Sequence, residues 1–124
     1  PSVRMATGML ANHLYACRLL VLDHNGTTLL ESLVANIPMV LFWRREAWAL
    51  TRDATALLDM LAQAGIWHET PQKAAAKAAE VWSDPLGWWM SDKVQQARKE
   101  YCAQQALTVP GGPNPYWLKM LKSL

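Results

Sequence analysis

Residues 18–43 read RLLVLDHNGTTLLESLVANIPMVLFW. Leu19–Asp23 is an apolar run too short for a helix, and Met39–Trp43 is a second. Runs that are apolar on both faces suit strands of a parallel sheet, which is covered on both sides. Between them, Thr27–Ala35 carries Leu29, Leu30, Leu33 and Val34 at helical spacing. Asn36 ends that helix and Pro38 cannot continue it. Parallel strands need such a crossover, so the stretch reads as a βαβ unit.

Outward from this unit, Met5, Met9, Leu10, Leu14 and Cys17 predict an amphipathic helix over Met5–Ala16, with Gly8 weakening its start. Downstream, Leu57, Leu58 and Leu61 predict a helix from Thr51 or Arg52 to Ala64, capped by Gly65. Ile66–His68 is a short third strand. Thr70-Pro71 is a strong helix start, and the alanine-rich helix it opens runs to about Ser83. Asp84–Gly87 is a turn or short helical link, and Asp92 to about Ala106 a mostly polar helix. Val109–Pro115 reads as a loop, and Tyr116–Leu124 as a short terminal helix. The expected fold is α/β: a partial Rossmann-like three-layer domain with a short parallel sheet and several flanking helices over residues 1–106. Residues 107–124 form a loop and terminal helix. A doubly wound domain normally supplies five or six strands. Three are found here and the chain opens on Pro1, so it is expected to be the C-terminal part of a larger protein.

Of the 124 residues, 52% are hydrophobic, which supports a folded core, and a net charge of +2 is too mild to argue for nucleic acid. No apolar run of ~18 residues spans a membrane and no secretory signal is present, so peripheral membrane association would come only through the parent protein. Cys17 and Cys102 are read as buried free thiols of a cytoplasmic protein. His13, His24 and His68 share no metal-ligand spacing.

The turn His24-Asn25-Gly26-Thr27-Thr28 lies at the carboxyl end of the first strand, where open α/β sheets gather ligands. A helix N-terminus presents unpaired N–H groups and a partial positive charge, and Thr27 and Thr28 add hydroxyls. The turn is an anion site on this reading. On the other, Asn25-Gly26 is a tight turn and Thr27 simply caps the helix. Glu31, one turn in, is either a ribose ligand or a solvent-facing helical residue. His24 would orient a phosphate or contact a sugar, or else hydrogen-bond its own loop, while Asp23 is a turn former. Arg44, Arg45 and Glu46, after the second strand, could approach the same cleft, with the arginines toward a diphosphate and Glu46 toward sugar hydroxyls; a solvated run of charges is the alternative. Trp43 and Trp48 flank them and could stack on a sugar or base. Trp82, Trp88 and Trp89 read as core or interdomain packing.

The stretch LVLDHNGTTLLESLVANIPMVLFW, with EAWAL, AGIWHETPQKAA and DPLGWWMSDKVQQARKEYC behind it, resembles the C-terminal domain of bacterial glycosyltransferases of the GT-B fold. The nearest likeness is to transferases of capsule or O-antigen biosynthesis. The resemblance covers residues 10–106, and its most specific part is the strand, polar turn, GTTLLE, N-x-P and FW sequence. It implies that the domain binds a nucleotide-sugar donor, with Gly26, Thr27 and Thr28 on the diphosphate and Glu31 on the ribose. Arg44 and Arg45 depart from the family pattern, which commonly has an acidic or proline-containing turn there. The resemblance requires no metal or cofactor besides the donor substrate. It places the catalytic base in an N-terminal domain, so the catalytic residues remain unassigned and the isolated chain is expected to be inactive. Two other readings stand beside it: a GT-B-fold sugar-nucleotide epimerase, and a non-catalytic interaction module whose tryptophans face a partner.

Overall fold

The structure, a computed structural model, describes residues 3–106 and 113–123. Its elements in chain order are α1 (Leu10–Leu14), β1 (Leu20–Leu22), α2 (Thr27–Val34), β2 (Met39–Phe42), α3 (Arg52–Gln63) and β3 (Trp67–His68). They continue with α4 (Pro71–Val81), α5 (Pro85–Trp89), α6 (Asp92–Gln105) and α7 (Pro113–Lys122). The three strands form one parallel sheet in the order β1-β2-β3. The fold is the α/β one expected, a short parallel sheet with flanking helices.

Two successive crossovers to the same side put α2 and α3 on one face when both are right-handed. That face presents Met39, Leu41 and Trp67, which join Leu29, Leu33, Leu57, Leu58 and Leu61 in the buried core. α6 lies across α2 and α3 and adds Val94, Ala97 and Tyr101. The alternate residue Val40 points the other way, where α4 packs on β2 and β3 with Ala74 and Val81 buried. On β1 the equivalent residue, Val21, is half-exposed because β1 is an edge strand.

Chain chemistry sets the helix ends. Thr51 and Thr70 accept hydrogen bonds from the N–H groups of Ala54 (3.2 Å) and Lys73 (3.3 Å), and Asp84 from that of Gly87 (2.9 Å). Gly65 (φ 77°) and Asn36 (φ 59°) turn the chain left-handed after α3 and α2.

Asn36 does more than stop a helix. Its Oδ1 accepts from Trp89 Nε1 (2.8 Å) and from Gln95 Nε2 (3.0 Å). Gln95 Nε2 also donates to the Trp89 carbonyl at 2.8 Å, and Arg98 donates from Nε to Gln95 Oε1 (3.0 Å) and from Nη1 to the Leu33 carbonyl (2.9 Å). This chain of bonds ties the carboxyl end of α2 to α5 and α6. It explains how a mostly polar helix belongs to the core.

Three expectations are corrected, for the first helix, the terminal helix and the cysteines. The first helix is Leu10–Leu14, not Met5–Ala16: Gly8 sits at φ 98°, and Met5 and Met9 are exposed, so the upstream apolar stripe has nothing to pack on. Asp84–Gly87 is the short helical link of the two alternatives, with Asp84 capping the five-residue α5. The terminal helix begins at Pro113, because prolines at 113 and 115 fall in its first turn, where no N–H is needed; the rest of the expected loop, 109–112, lies outside the described residues. Of the tryptophans expected in core or interdomain packing, Trp89 is core and Trp88 half-buried, while Trp82 is 55% exposed in this chain, with the Arg18 guanidinium 5.2 Å from its ring centroid. Both cysteines are free and half-buried rather than buried, and desolvation raises both thiol pKa values.

Asn36→Ala removes the acceptor that Trp89 and Gln95 share, leaving Trp89 Nε1 on the residue-36 carbonyl (3.2 Å) and Gln95 Nε2 on the Trp89 carbonyl (2.8 Å), and keeps a side chain at positive φ, so it should cost about 1–2 kcal/mol. Asn36→Gly loses the same bonds but relieves the backbone, and should cost about 1 kcal/mol less. Urea unfolding midpoints measure both; wild-type stability in Asn36→Ala would show that the polar chain contributes nothing.

Candidate functional site

Parallel register determines what lies at the sheet's carboxyl edge. Leu22 pairs with Leu41 and Phe42 with His68, so the residues just past them, Asp23-His24, Trp43-Arg44 and Glu69, leave the sheet side by side. They line an open cleft of about 360 Å³ together with Phe42, Ala47, Trp48 and Pro71. The short 3₁₀ turn Arg45–Ala47 folds Trp48 back over this edge, where its indole is 41% exposed.

His24 Nδ1 and Asp23 Oδ1 are 3.0 Å apart. The hydrogen bond from His24 is the main cause that lowers the Asp23 carboxyl pKa below its usual value. The imidazole lies against Gly26: a Cβ there would stand 2.8 Å from His24 Cδ2 and 3.0 Å from Nε2. The Gly26 backbone is extended (φ −131°, ψ −175°), which any residue adopts. Glycine at 26 leaves room for the His24 ring in this position.

Gly26 is the N-cap of α2 and no side chain caps the helix. Thr27 is the first helical residue, so the reading in which Thr27 caps the helix is corrected. The first-turn N–H groups of Thr27 and Thr28 precede any intrahelical acceptor. Gly26, the residue before them, lies against the His24 ring that lines the cleft.

Arg44 lines the cleft with its side chain 81% exposed, and its Nε is 3.8 Å from Glu46 Oε2. Arg45 does not join it. Its Nη2 donates to Asp59 Oδ1 at 2.6 Å, and the guanidinium lies 5.0 Å from the Trp67 ring centroid. Trp43 is core, tilted at 55° against Trp67 with centroids 6.1 Å apart, and one part of it reaches the cleft wall. Among the described residues its indole N–H has no hydrogen-bond partner.

The structure thus brings His24 and Arg44 into one cleft, with Gly26 against the His24 ring and Thr27 and Thr28 next along the chain. Glu31 is set apart. It is exposed on a separate apolar groove of about 600 Å³ lined by Leu14, Tyr15, Leu30 and Val34. Glu69 is the cleft residue that the sequence reading passed over. Its signal was its position one residue past the third strand.

Among the described residues no group of three His, Cys, Asp or Glu side chains is placed to hold a metal ion. His13 Nε2 lies 2.9 Å from the Thr7 carbonyl and His68 Nε2 2.9 Å from that of Gly65, each serving its own loop. No described helix is long and apolar enough to cross a membrane.

A family model described as "LIC12162 family transferase" matches residues 1–121. No curated protein matches the chain, and no solved structure does.

His68 offers a check on the cleft's third strand. Desolvation is the main cause that lowers its pKa from 6.5, with Lys77 and Lys73 adding to it. The unfolded chain therefore binds a proton before the folded one does. Stability should be constant above pH 6.5 and fall as pH drops from there toward the folded-state value. His68→Gln, which cannot titrate, should flatten that part of a stability–pH curve; an unchanged slope would mean that another group causes it.

Proposed function

Because the chain belongs to the LIC12162 family of transferases, we propose that it forms the donor-binding part of a nucleotide-sugar-dependent glycosyltransferase. The observation that carries this reading is the open N-terminus of α2 at the carboxyl edge of a parallel sheet, beside a cleft holding His24 and Arg44. A diphosphate seated there meets the N–H groups of Thr27 and Thr28, both hydroxyls, and the positive end of the helix dipole. Arg44 can leave Glu46 for a phosphate, since both side chains are exposed and their contact is long. His24, held by Asp23, presents the opposite edge of its ring toward the same helix end.

In this reading the chain acts by position and charge. Fixed donors aimed at the phosphates offset the charge that grows on the departing nucleoside diphosphate. Glu31, one turn along α2, faces the neighbouring apolar groove, so as the ribose ligand it puts the nucleoside in that groove, on the other side of the helix end from the cleft. A preceding N-terminal GT-B domain supplies the base and the acceptor site, so transfer requires both domains. Assembly of a bacterial surface polysaccharide is the setting that the sequence resemblance supports.

The double substitution Thr27→Ala/Thr28→Ala removes both hydroxyls from partly exposed positions. It should weaken nucleoside diphosphate affinity roughly tenfold, the size of one or two lost hydrogen bonds, and leave the unfolding midpoint near wild type. Arg44→Ala should weaken it by a similar factor or more. Calorimetric titration measures both, and unchanged affinity in both variants would remove the diphosphate from this helix end.

A further inference from the structure

The walls of the cleft differ chemically from the helix end beside it. Two carboxylates, Asp23 and Glu69, face one arginine, which already lies 3.8 Å from Glu46. Glu69 makes no ion pair among the described residues, and Asp23 gives one oxygen, Oδ1, to His24. The half-exposed indole of Trp48 supplies an apolar face. The buried Trp43, 6% exposed, contributes to the wall, and its indole N–H has no acceptor among the described residues. At about 360 Å³ the cleft falls in the range of small-molecule sites.

An aromatic face beside carboxylate oxygens suits a sugar ring: C–H groups pack on the indole while paired hydroxyls donate to carboxylate oxygens. It suits an anion poorly, because each added negative charge meets two like charges at close range. We propose that this cleft holds the sugar of the donor, and that Glu69 and Asp23 restrict it to neutral or amino sugars and reject uronic and other acidic ones. The inference rests on the donor-site reading above and adds a substrate class to it. Glu69 is the specificity-determining residue, since Asp23 is shared with His24.

The test titrates the full chain with UDP, GDP and CDP, each alone, joined to a neutral hexose, and joined to the matching uronic acid. For the base that binds, the neutral conjugate should bind more tightly than the bare diphosphate, and the uronic conjugate roughly tenfold more weakly than the neutral one. Glu69→Gln keeps the shape of an exposed side chain and removes its charge, so the neutral-to-uronic affinity ratio should shrink several-fold. Equal binding of the two conjugates to wild type, or a ratio that Glu69→Gln leaves unmoved, overturns the proposal while diphosphate binding keeps the donor-site reading alive. Absence of binding by every diphosphate and conjugate overturns both.

Discussion

The Asn36 carboxamide is the point on which the architecture turns. It sits where α2 must end and β2 must begin, at φ 59°, and accepts hydrogen bonds from Trp89 and Gln95. These partners lie 53 and 59 residues away along the chain. Through them α5 and α6 are drawn onto the helical face of the sheet, and Arg98 closes the arrangement on the Leu33 carbonyl. A half-buried acceptor with two donors in place is stabilising, and each donor keeps a backbone carbonyl as a second partner, so the network is fully paired. A helix pinned at its carboxyl end has a fixed axis, so its N-terminus is fixed too. Gly26, Thr27 and Thr28 are held beside the sheet's carboxyl edge by a contact at the other end of α2.

Register does the rest. Three parallel strands pair so that Asp23, Phe42 and His68 leave the sheet at one level, with His24, Trp43 and Glu69 at the next. Chemically varied residues from three loops therefore share one cleft, and none of them needs a rare backbone conformation to reach it. Gly26 illustrates the difference between freedom and space: its dihedral angles are ordinary, and its missing side chain makes room for His24.

The sheet and most helices were legible because their signals are local. Apolar strands, the Asn-Ile-Pro stop, the threonine caps at 51 and 70 and the left-handed Gly65 each act within a few residues. What escaped depends on distant partners. The stripe of Met5 and Met9 has helical spacing, but a stripe forms a stable helix only with a surface to cover, and both side chains are exposed. Gln95 looks like a solvent residue until Asn36 and the Trp89 carbonyl are beside it. Arg44 and Arg45 are neighbours in sequence, yet Asp59 and Trp67 take Arg45 into packing and leave Arg44 on the cleft. Glu69 was within reach of the strand-end rule, and the shortness of β3 hid it.

The central claim is that the open end of α2 is an anion site and that the cleft beside it belongs to the same ligand. An amide-correlation NMR titration of the chain with CMP, CDP, UDP and GDP tests this most directly. The account predicts saturable shifts of the Gly26, Thr27 and Thr28 amides, accompanied by Arg44 and the Trp48 indole, for diphosphates of one base. Saturable shifts that leave the Gly26, Thr27 and Thr28 amides still would contradict it.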